Sequence, residues 1–539
     1  ALNSAFTGTK VENCYFPNLI RVGDWAFQGC LIKQLSVHNF PAVRTIGAGA
    51  YLFCPVSSVN LPQLISIGLG GFANCSRLEC LRAEKLKYVG ESCFTFCSSL
   101  TSINSLLSPK DFVCWNQDGQ PCLECPVCYG EVEECLERGR SGELVQAVKT
   151  DDATINDVLQ KFRVNLTVQQ ALEAEDKQVI DGCLVLKEEE YEEEAFKSRE
   201  DFRAVLALKL KQVSKCMFQD ALNLRTVVMP SAVAIEDGDS VKRAFKGTKV
   251  ENCYFPNLIR VGDWAFQGCL IKELSAQNFP QLQKIGVGVF VYCLVVMVNL
   301  PNLIRVGQMA FSKCPLTSLK APNLRVICEG GFSFCPINEL DLPLLRFVGI
   351  QGFSNCHISS LKLPNLTIVG TKGFEKCLIK ELDLPKLTTV GPYGFWRCPI
   401  TTANLPNLIS VDQFGFTDCS KLMEFSAKKL KYVGESCFTN CIQLCLIDCG
   451  LSKKNFVCGG KNGLCDGCPV CYDQVDESLN RAKSVFQVQI DYQMEEELLR
   501  IKVQKIDDVL KKFRVNLTVQ QALEAEDKQV IDGCLVLKE

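Results

Sequence analysis

The sequence predicts a β-rich solenoid of parallel strands with short turns, built as two tandem arrays separated by cysteine-rich caps and short α-helical segments. Three observations predict it. Prolines recur every 21 residues in the second half of the chain, at positions 280, 301, 322, 343, 364, 385 and 406. Each interval carries the same order of apolar, glycine, phenylalanine and cysteine positions. A long segment near the start of the chain also returns near its middle with few changes.

The repeat that begins at Pro364 reads PNLTIVGTKGFEKCLIKELDL. Its two runs LTIV and IKELDL alternate in hydrophobicity and are joined by turn residues, which is typical of short strands. Neither run can bury its apolar side alone, so successive coils should stack and share one core. The recurring phenylalanines should form an internal aromatic spine, with about 2 kcal/mol from the burial of each ring. They are Phe266, Phe290, Phe311, Phe332, Phe353, Phe374, Phe395, Phe416 and Phe438.

The long-range duplication sets the domain boundaries. The segment 4–35 returns at 243–274, and the segment that begins at Lys85 returns at Lys429; the two offsets differ by five repeats of 21 residues. A stack of coils tolerates the gain or loss of whole coils. We therefore predict array one at 1–107, a cysteine-rich cap at 108–135, a charged helical linker at 136–209, array two at 210–451, a second cap at 452–472 and a helical segment at 473–539. Because Ala1 enters a repeat partway and Glu539 ends inside a duplicated segment, we expect the chain to continue at both ends.

The linker is predicted to contain two helices. Ile155, Val158, Leu159 and Phe162 follow helical spacing. The pair Thr167 and Gln170 matches a capping box at the start of the second helix. The acidic run at 188–194 is interpreted as a solvated surface or linker.

The motif G-x-x-[GA]-F-x-x-C-x-[IL]-x-x-L-x-L-P closely resembles the BspA-like class of leucine-rich repeats. Departures are few: Tyr51 replaces a phenylalanine, and Cys328 and Asp412 replace glycines. The resemblance implies a leucine-rich-repeat solenoid with a parallel sheet on one face, located at the cell surface or secreted, with no common catalytic site. It predicts a non-catalytic protein-binding scaffold, similar to an adhesin or surface antigen. The alternative is an intracellular, cytoplasmic scaffold with reduced thiols and zinc-stabilised caps.

Thirteen cysteines occupy the repeat position and are expected to be buried free thiols, because a uniform ladder offers no unique disulfide pairing. They are Cys30, Cys54, Cys75, Cys97, Cys269, Cys293, Cys314, Cys335, Cys356, Cys377, Cys398, Cys419 and Cys441.

Two further cysteine clusters follow the arrays and are expected to seal their ends. Four sulfurs suit a tetrahedral zinc site, and local disulfides are the alternative. The spacing does not match standard iron–sulfur runs. The predicted cofactor is therefore none or structural zinc, and the sulfurs of the second cluster should lie close together. The clusters are Cys114, Cys122, Cys125 and Cys128, and Cys458, Cys465, Cys468 and Cys471.

Composition argues against several function classes. A formal net charge of −3 and a pI near 5.8 do not favour nucleic-acid binding. The sequence contains no apolar run long enough to cross a membrane. It has two histidines, His38 and His357, and no nucleotide-binding loop, so we predict that it is not an enzyme.

The predicted partner is a protein of unknown identity, and the oligomeric state is open. In the IKELDLP-like strands, alternate residues should point outward. The binding residues predicted there are Glu339, Asp341, Lys362, Glu381 and Asp383. The alternative is that these charges only neutralise one another between neighbouring strands. A second predicted patch is an apolar column on the other strand run, with Val326 followed by Phe347 and Ile368, which would be exposed unless the linker helices cover it.

Overall fold

The computed structural model describes residues 3–112 except 76, 96, 98, 99, 101, 109 and 110; residues 135–136, 148–239 and 241–456; and residues 530–531 and 534–535. Each coil has a two-residue strand, a turn carrying the spine phenylalanine, a second strand of two to four residues, and a return turn. We call the sheet of first strands face A, the sheets of second strands face B, and the surface of the phenylalanine-bearing turns the turn face. The predicted solenoid is confirmed, and no helix interrupts residues 280–429, all of which are described.

Face A is a parallel sheet in both arrays. In array one its strands are Arg21–Val22, Thr45–Ile46, Ser66–Ile67 and Tyr88–Val89. In array two they are Gln212–Val213, Ala234–Ile235, Arg260–Val261, Lys284–Ile285, Arg305–Val306, Val326–Ile327, Phe347–Val348, Ile368–Val369, Thr389–Val390, Ser410–Val411 and Tyr432–Val433. This second sheet runs unbroken through eleven strands.

Face B is divided into shorter sheets. In array one its strands are Gln34–Ser36, Ser58–Asn60, Cys80–Arg82 and Ser102–Asn104. Array two has a five-stranded sheet of Val179–Ile180, Cys183–Leu186, Ala204–Ala207, Thr226–Val228 and Asn252–Tyr254, then a sheet of Glu273–Leu274, Met297–Asn299 and Ser318–Lys320. It continues with Glu339–Asp341 and Ser360–Lys362, and then Glu381–Asp383, Thr402–Asn404, Glu424–Ala427 and Leu446–Cys449. Near the end of the chain, Val530–Ile531 pairs antiparallel with Cys534–Leu535.

Two helices lie within residues 136–209, as predicted. Helix α1 spans Asp152–Lys161, and Asp151 caps it by accepting from the Thr154 backbone N–H at 2.8 Å. Helix α2 spans Val168–Glu173 and starts with the predicted capping box of Thr167 and Gln170. A single 3-10 turn, Lys453–Asn455, follows the last strand of array two.

Array two starts earlier than residue 210. The strand Cys183–Leu186 pairs in parallel with Ala204–Ala207, which pairs with Thr226–Val228. All residues of these three strands are buried, because α1 and α2 pack on their outer side through Ile155, Leu159 and their neighbours. The segment 152–186 thus belongs to the start of array two and is not a free linker.

The aromatic spine is confirmed and is longer than predicted. In array two it also includes Phe196, Phe218 and Phe245, and consecutive ring centroids from Phe196 to Phe438 lie 4.7–5.8 Å apart. Tyr51 stacks in the array-one spine at 5.4 Å from Phe27, so its substitution for phenylalanine preserves the stack. The stacking distance matches the spacing of neighbouring parallel strands, roughly 4.8 Å.

The repeat glycine is explained by close contact between coils. A Cβ placed on Gly307 would lie 2.5 Å from the carbonyl carbon of Gly286 in the preceding coil. The asparagine after the proline also joins coils: the Asn365 side chain donates to the Pro343 carbonyl, and Asn407 donates to Pro385, both at 2.7 Å.

The thirteen ladder cysteines are buried free thiols, as predicted. Each Sγ donates to the carbonyl of the aromatic spine residue one coil earlier, at 2.9–3.2 Å in twelve cases and at 3.8 Å in Cys269. Burial raises the pKa of Cys356 to about 12. Since the thiolate is the nucleophile, these sulfurs should be inert near neutral pH.

We therefore expect iodoacetamide to alkylate Cys445 in the native protein and to leave Cys356 unmodified, because Cys445 is exposed and Cys356 is buried. Labelling should be mapped by mass spectrometry after a short pulse at pH 8. In denaturant both should react alike, which provides the control. Equal native labelling of the two sites would contradict the buried ladder.

The two arrays contact each other beside face A of array two. Arg77 pairs with Glu236 at 3.6 Å, and the Lys284 ammonium donates to the Leu100 carbonyl at 2.9 Å. Asp237 pairs with Arg260 in the same region, and both side chains are largely buried. Polar groups of array one thus meet charged residues at the start of array two.

Candidate functional site

The predicted charged residues lie together on face B of array two. Glu339, Asp341, Lys362, Glu381 and Asp383 are all exposed. Strand register places Asp341 beside Lys362, and their charged atoms are 3.9 Å apart. The Asn404 side chain donates to Asp383 at 3.0 Å. Charged and polar side chains of neighbouring coils therefore partly pair with one another. The Lys362 and Asp341 side chains are 73% and 69% exposed, so their ion pair contributes little to stability.

Face B is acidic along eight consecutive strands of array two. On the eight strands from Glu273–Leu274 to Glu424–Ala427, the exposed charged residues are six carboxylates and two lysines. The carboxylates are Glu273, Glu339, Asp341, Glu381, Asp383 and Glu424, and the lysines are Lys320 and Lys362. The predicted residues form the middle of this row, across a break between the strands Ser360–Lys362 and Glu381–Asp383.

The predicted exposed apolar patch on face A is wrong. Val326 is 0% exposed and Phe347 is 6% exposed. Together with Cys328 they form a buried cluster of their own, and Ile368 packs half-buried at its edge. These side chains are therefore buried or half-buried and do not form an exposed apolar patch.

The turn face has a feature that the sequence analysis missed. In nine coils of array two, the residues two before and two after the spine phenylalanine all have φ between 52° and 74°. The first positions form row A: Trp264, Gly288, Met309, Gly330, Gln351, Lys372, Tyr393, Phe414 and Ser436. The second positions form row B: Gly268, Tyr292, Lys313, Phe334, Asn355, Lys376, Arg397, Asp418 and Asn440. In the sequence these residues occupy the two variable positions on either side of the phenylalanine. Their left-handed backbone is set by the turn and does not show in the residue types.

Aromatic and cationic side chains of these rows contact one another. Tyr393 stacks on Phe414 with ring centroids 4.7 Å apart, and the Lys372 ammonium lies 5.6 Å from the Tyr393 ring. Trp396, between the rows, meets Tyr393 edge to face at 5.8 Å. The Arg397 guanidinium lies 4.4 Å from the Trp396 ring centroid. These contacts join rows A and B into one surface.

Asp418 holds the end of this surface in place. It accepts from the Trp396 indole N–H at 2.8 Å, from the Arg397 guanidinium at 3.1 Å and from the Asn440 amide at 2.6 Å. Burial acts to raise the pKa of Asp418, but these hydrogen bonds outweigh it and hold the pKa below its ordinary value. The carboxylate is therefore charged near neutral pH and fixes the orientation of Arg397.

The predicted metal ligands Cys114, Cys122, Cys125 and Cys128, and Cys458, Cys465, Cys468 and Cys471, lie outside the described residues. Zinc or disulfides at these clusters stay a prediction.

Among the residues that the structure describes, no group of three or more His, Cys, Asp or Glu residues is arranged to hold a metal ion. Within the same part of the chain, no helix is both long and apolar enough to cross a membrane. His38 and His357 are both exposed.

Known proteins match the chain at the level of the repeat. The family described as BspA type leucine rich repeat region (6 copies) matches residues 2–111, 238–346 and 346–456. No curated protein matches the chain.

Solved structures of other repeat proteins are similar to this chain, and three of them illustrate the likeness. A leucine-rich repeat protein from Bacteroides ovatus is 15% identical with a TM-score of 0.28, covering 80% of this chain and 82% of that one. A leucine rich cell surface protein from Faecalibacterium prausnitzii is 15% identical with a TM-score of 0.23, covering 79% and 89%. The pneumococcal vaccine antigen PcpA is 16% identical with a TM-score of 0.28, covering 47% and 77%. Because the family matches more than half of the residues and both its phenylalanine spine and its cysteine ladder are in place, this chain belongs to the BspA-type leucine-rich repeat proteins.

Proposed function

We propose that this repeat scaffold is non-catalytic and binds a protein partner through face B of array two. The observation that carries the proposal is the row of six exposed carboxylates against two lysines on eight consecutive coils. A broad, repetitive surface suits a macromolecule better than a small metabolite, which needs a concave pocket. The proposed contact residues are Glu339, Asp341, Lys362, Glu381 and Asp383.

The charge of face B favours a partner with a basic surface. Complementary charge speeds association and sets register more than it raises affinity. Lys362 pairs with Asp341 at 3.9 Å, so it reduces the acidity locally and gives the row a distinct pattern. A partner would be selected by this pattern as well as by total charge.

We expect the charge-reversed double variant Glu339→Lys with Glu381→Lys to bind its captured partner at least about tenfold more weakly than the wild type. The partner would be isolated by crosslinking pulldown, and its affinity measured by biolayer interferometry at two salt concentrations. Glu435→Lys is the matched control, because Glu435 is an exposed acid outside face B. If both variants bind like the wild type, face B is not the binding surface.

We also propose a cell-surface or secreted location, which follows from the family; the cytoplasmic zinc-stabilised scaffold is the alternative. Burial protects the ladder thiols from reaction, so they are compatible with either compartment. Antibody detection on intact cells, on permeabilised cells and in the culture medium separates the two: a surface protein is stained without permeabilisation, a secreted protein is found in the medium, and a cytoplasmic protein is stained only after permeabilisation. The non-catalytic assignment rests on the two histidines and on the lack of nucleotide-binding motifs in the sequence.

A further inference from the structure

The turn face of array two carries bulky side chains that the core does not require. The spine rings already fill the interior at this level, and they are fully buried. Neighbouring coils place Gly330, Gln351 and Asn355 at the same row positions, so the fold accepts small or polar residues there. A left-handed backbone costs an L-residue roughly 1–2 kcal/mol, whereas glycine adopts it freely. Aromatic residues at these positions are therefore better explained by binding than by folding.

Two of these aromatic rings are widely exposed. Tyr292 is 60% exposed and Phe334 is 54% exposed, and both belong to row B. The Lys313 ammonium, between them along the row, lies 5.6 Å from the Tyr292 ring. Tyrosine, tryptophan and arginine are the residues that most often dominate the energetics of protein interfaces. The row thus presents suitable anchors at the surface.

The charge of the turn face is opposite to that of face B. Rows A and B hold four cations and one carboxylate: Lys313, Lys372, Lys376, Arg397 and Asp418. Asp418 is already engaged by Arg397, Trp396 and Asn440. Glu375, between the rows, is buried and lies 3.7 Å from the Lys376 ammonium. Glu435, beside Ser436 of row A, is an exposed acid in the last coil, so the exposed charge is mainly positive between Tyr292 and Arg397.

The side chains are also held in place before any ligand arrives. Lys372, Tyr393 and Phe414 form one stack across three coils. Trp396 is flanked by Arg397 at 4.4 Å and Lys376 at 5.2 Å. Side chains that are already ordered lose less conformational entropy on binding.

We propose that the turn face of array two binds an acidic segment of a protein partner that also carries an aromatic side chain. The carboxylates would pair with Lys313, Lys376 and Arg397, and the aromatic ring would pack against Tyr292 or Phe334. Lys372 and Tyr393 of row A would extend the binding surface beside these row B residues. This surface is separate from face B and has the opposite charge preference, so its test does not depend on the result there.

The test uses the full chain and a fluorescein-labelled peptide Glu-Glu-Phe-Glu-Glu-Phe-Glu-Glu, whose sequence does not occur in this chain, and binding is followed by fluorescence anisotropy. We expect saturable binding that weakens as salt rises, since exposed charges are screened. The double variant Lys376→Glu with Arg397→Glu should bind at least about tenfold more weakly. The second double variant, Tyr292→Ala with Phe334→Ala, removes only exposed rings and should weaken binding without loss of folding.

Lys431→Glu is the matched control, because Lys431 is exposed next to face A and outside both rows; it should change affinity by less than about twofold. The peptide with glutamine in place of glutamate should not bind. The proposal is overturned by no saturable binding, by equal binding of the glutamine peptide, or by an equal loss with Lys431→Glu. Sedimentation that reveals self-association abolished by Lys376→Glu with Arg397→Glu would overturn it in favour of a second copy as the occupant.

Discussion

Replacement of Phe332 by alanine should lower the free energy of unfolding by about 3–5 kcal/mol. The Phe332 ring is fully buried and stacks between Phe311 at 5.2 Å and Phe353 at 5.4 Å. The variant loses the transfer free energy of the ring and leaves a cavity that two neighbouring coils must share. Guanidinium unfolding followed by far-UV circular dichroism measures the effect as a shift in midpoint.

Phe334→Ala is the matched control, since it makes the same chemical change two residues away in the same coil. Phe334 is 54% exposed, so its loss should change stability by no more than about 0.5 kcal/mol. If the two variants shift the midpoint equally, stability does not depend on the buried spine.

The spine was predictable because its signal is local and periodic. Burial of one large ring in each coil imposes the same residue at every repeat, and the period of 21 residues reveals it. The small residue before the ring follows from the same packing: a Cβ on Gly373 would lie 2.6 Å from the Val369 side chain. The buried thiols could also be predicted, since a uniform ladder favours no particular pair.

The start of array two could not be placed from the repeat motif. Strands buried on both sides lose the alternation of polar and apolar residues that marks a half-exposed strand. Cys183–Leu186 and Ala204–Ala207 are apolar throughout, because α1 and α2 cover their outer side. In the sequence, the continuous apolar runs CLVL and AVLA were the features that could have indicated strands buried on both sides. The exposure of Phe347 was misjudged for a related reason, since strand geometry indicates which side chains point outward but not what covers them.

The charged residues of face B were located correctly, because alternation along a strand fixes which of them face outward. The turn face was missed, because a left-handed conformation at Tyr393 or Arg397 is imposed by the turn and not by the residue type. Two columns of unlike residues, from glycine to phenylalanine, look like unconstrained surface in the sequence. Contact between rows A and B depends on coil stacking and is visible only in three dimensions.

Removal of the Asp237 carboxylate should cost about 3 kcal/mol of stability, a loss of the size found when one partner of a buried ion pair is deleted. The side chains of Arg260 and Asp237 are 13% and 19% exposed. Asp237 also accepts from the Asp263 backbone N–H at 3.1 Å. In Asp237→Ala the guanidinium would stay buried without this carboxylate, and only the neighbouring charges of Asp263 and Glu79 would offset part of the loss. Asp341→Ala is the control, because its pair with Lys362 is exposed and should contribute less than about 0.5 kcal/mol.

The difference between the wild type and Asp237→Ala should depend on pH. Burial acts to raise the pKa of Asp237, but the Arg260 charge and its hydrogen bond outweigh it and hold the pKa below the ordinary value. A carboxyl with a lowered folded pKa gives its full stabilisation above the pKa of the unfolded chain, about 3.9, and loses it as the pH falls through the folded value. Guanidinium midpoints should therefore differ by a constant amount between about pH 5 and 7, and the difference should shrink as the pH falls through the lowered folded pKa of Asp237. A difference that persists unchanged into strong acid would mean that Asp237 stabilises the array by packing and not through its charge.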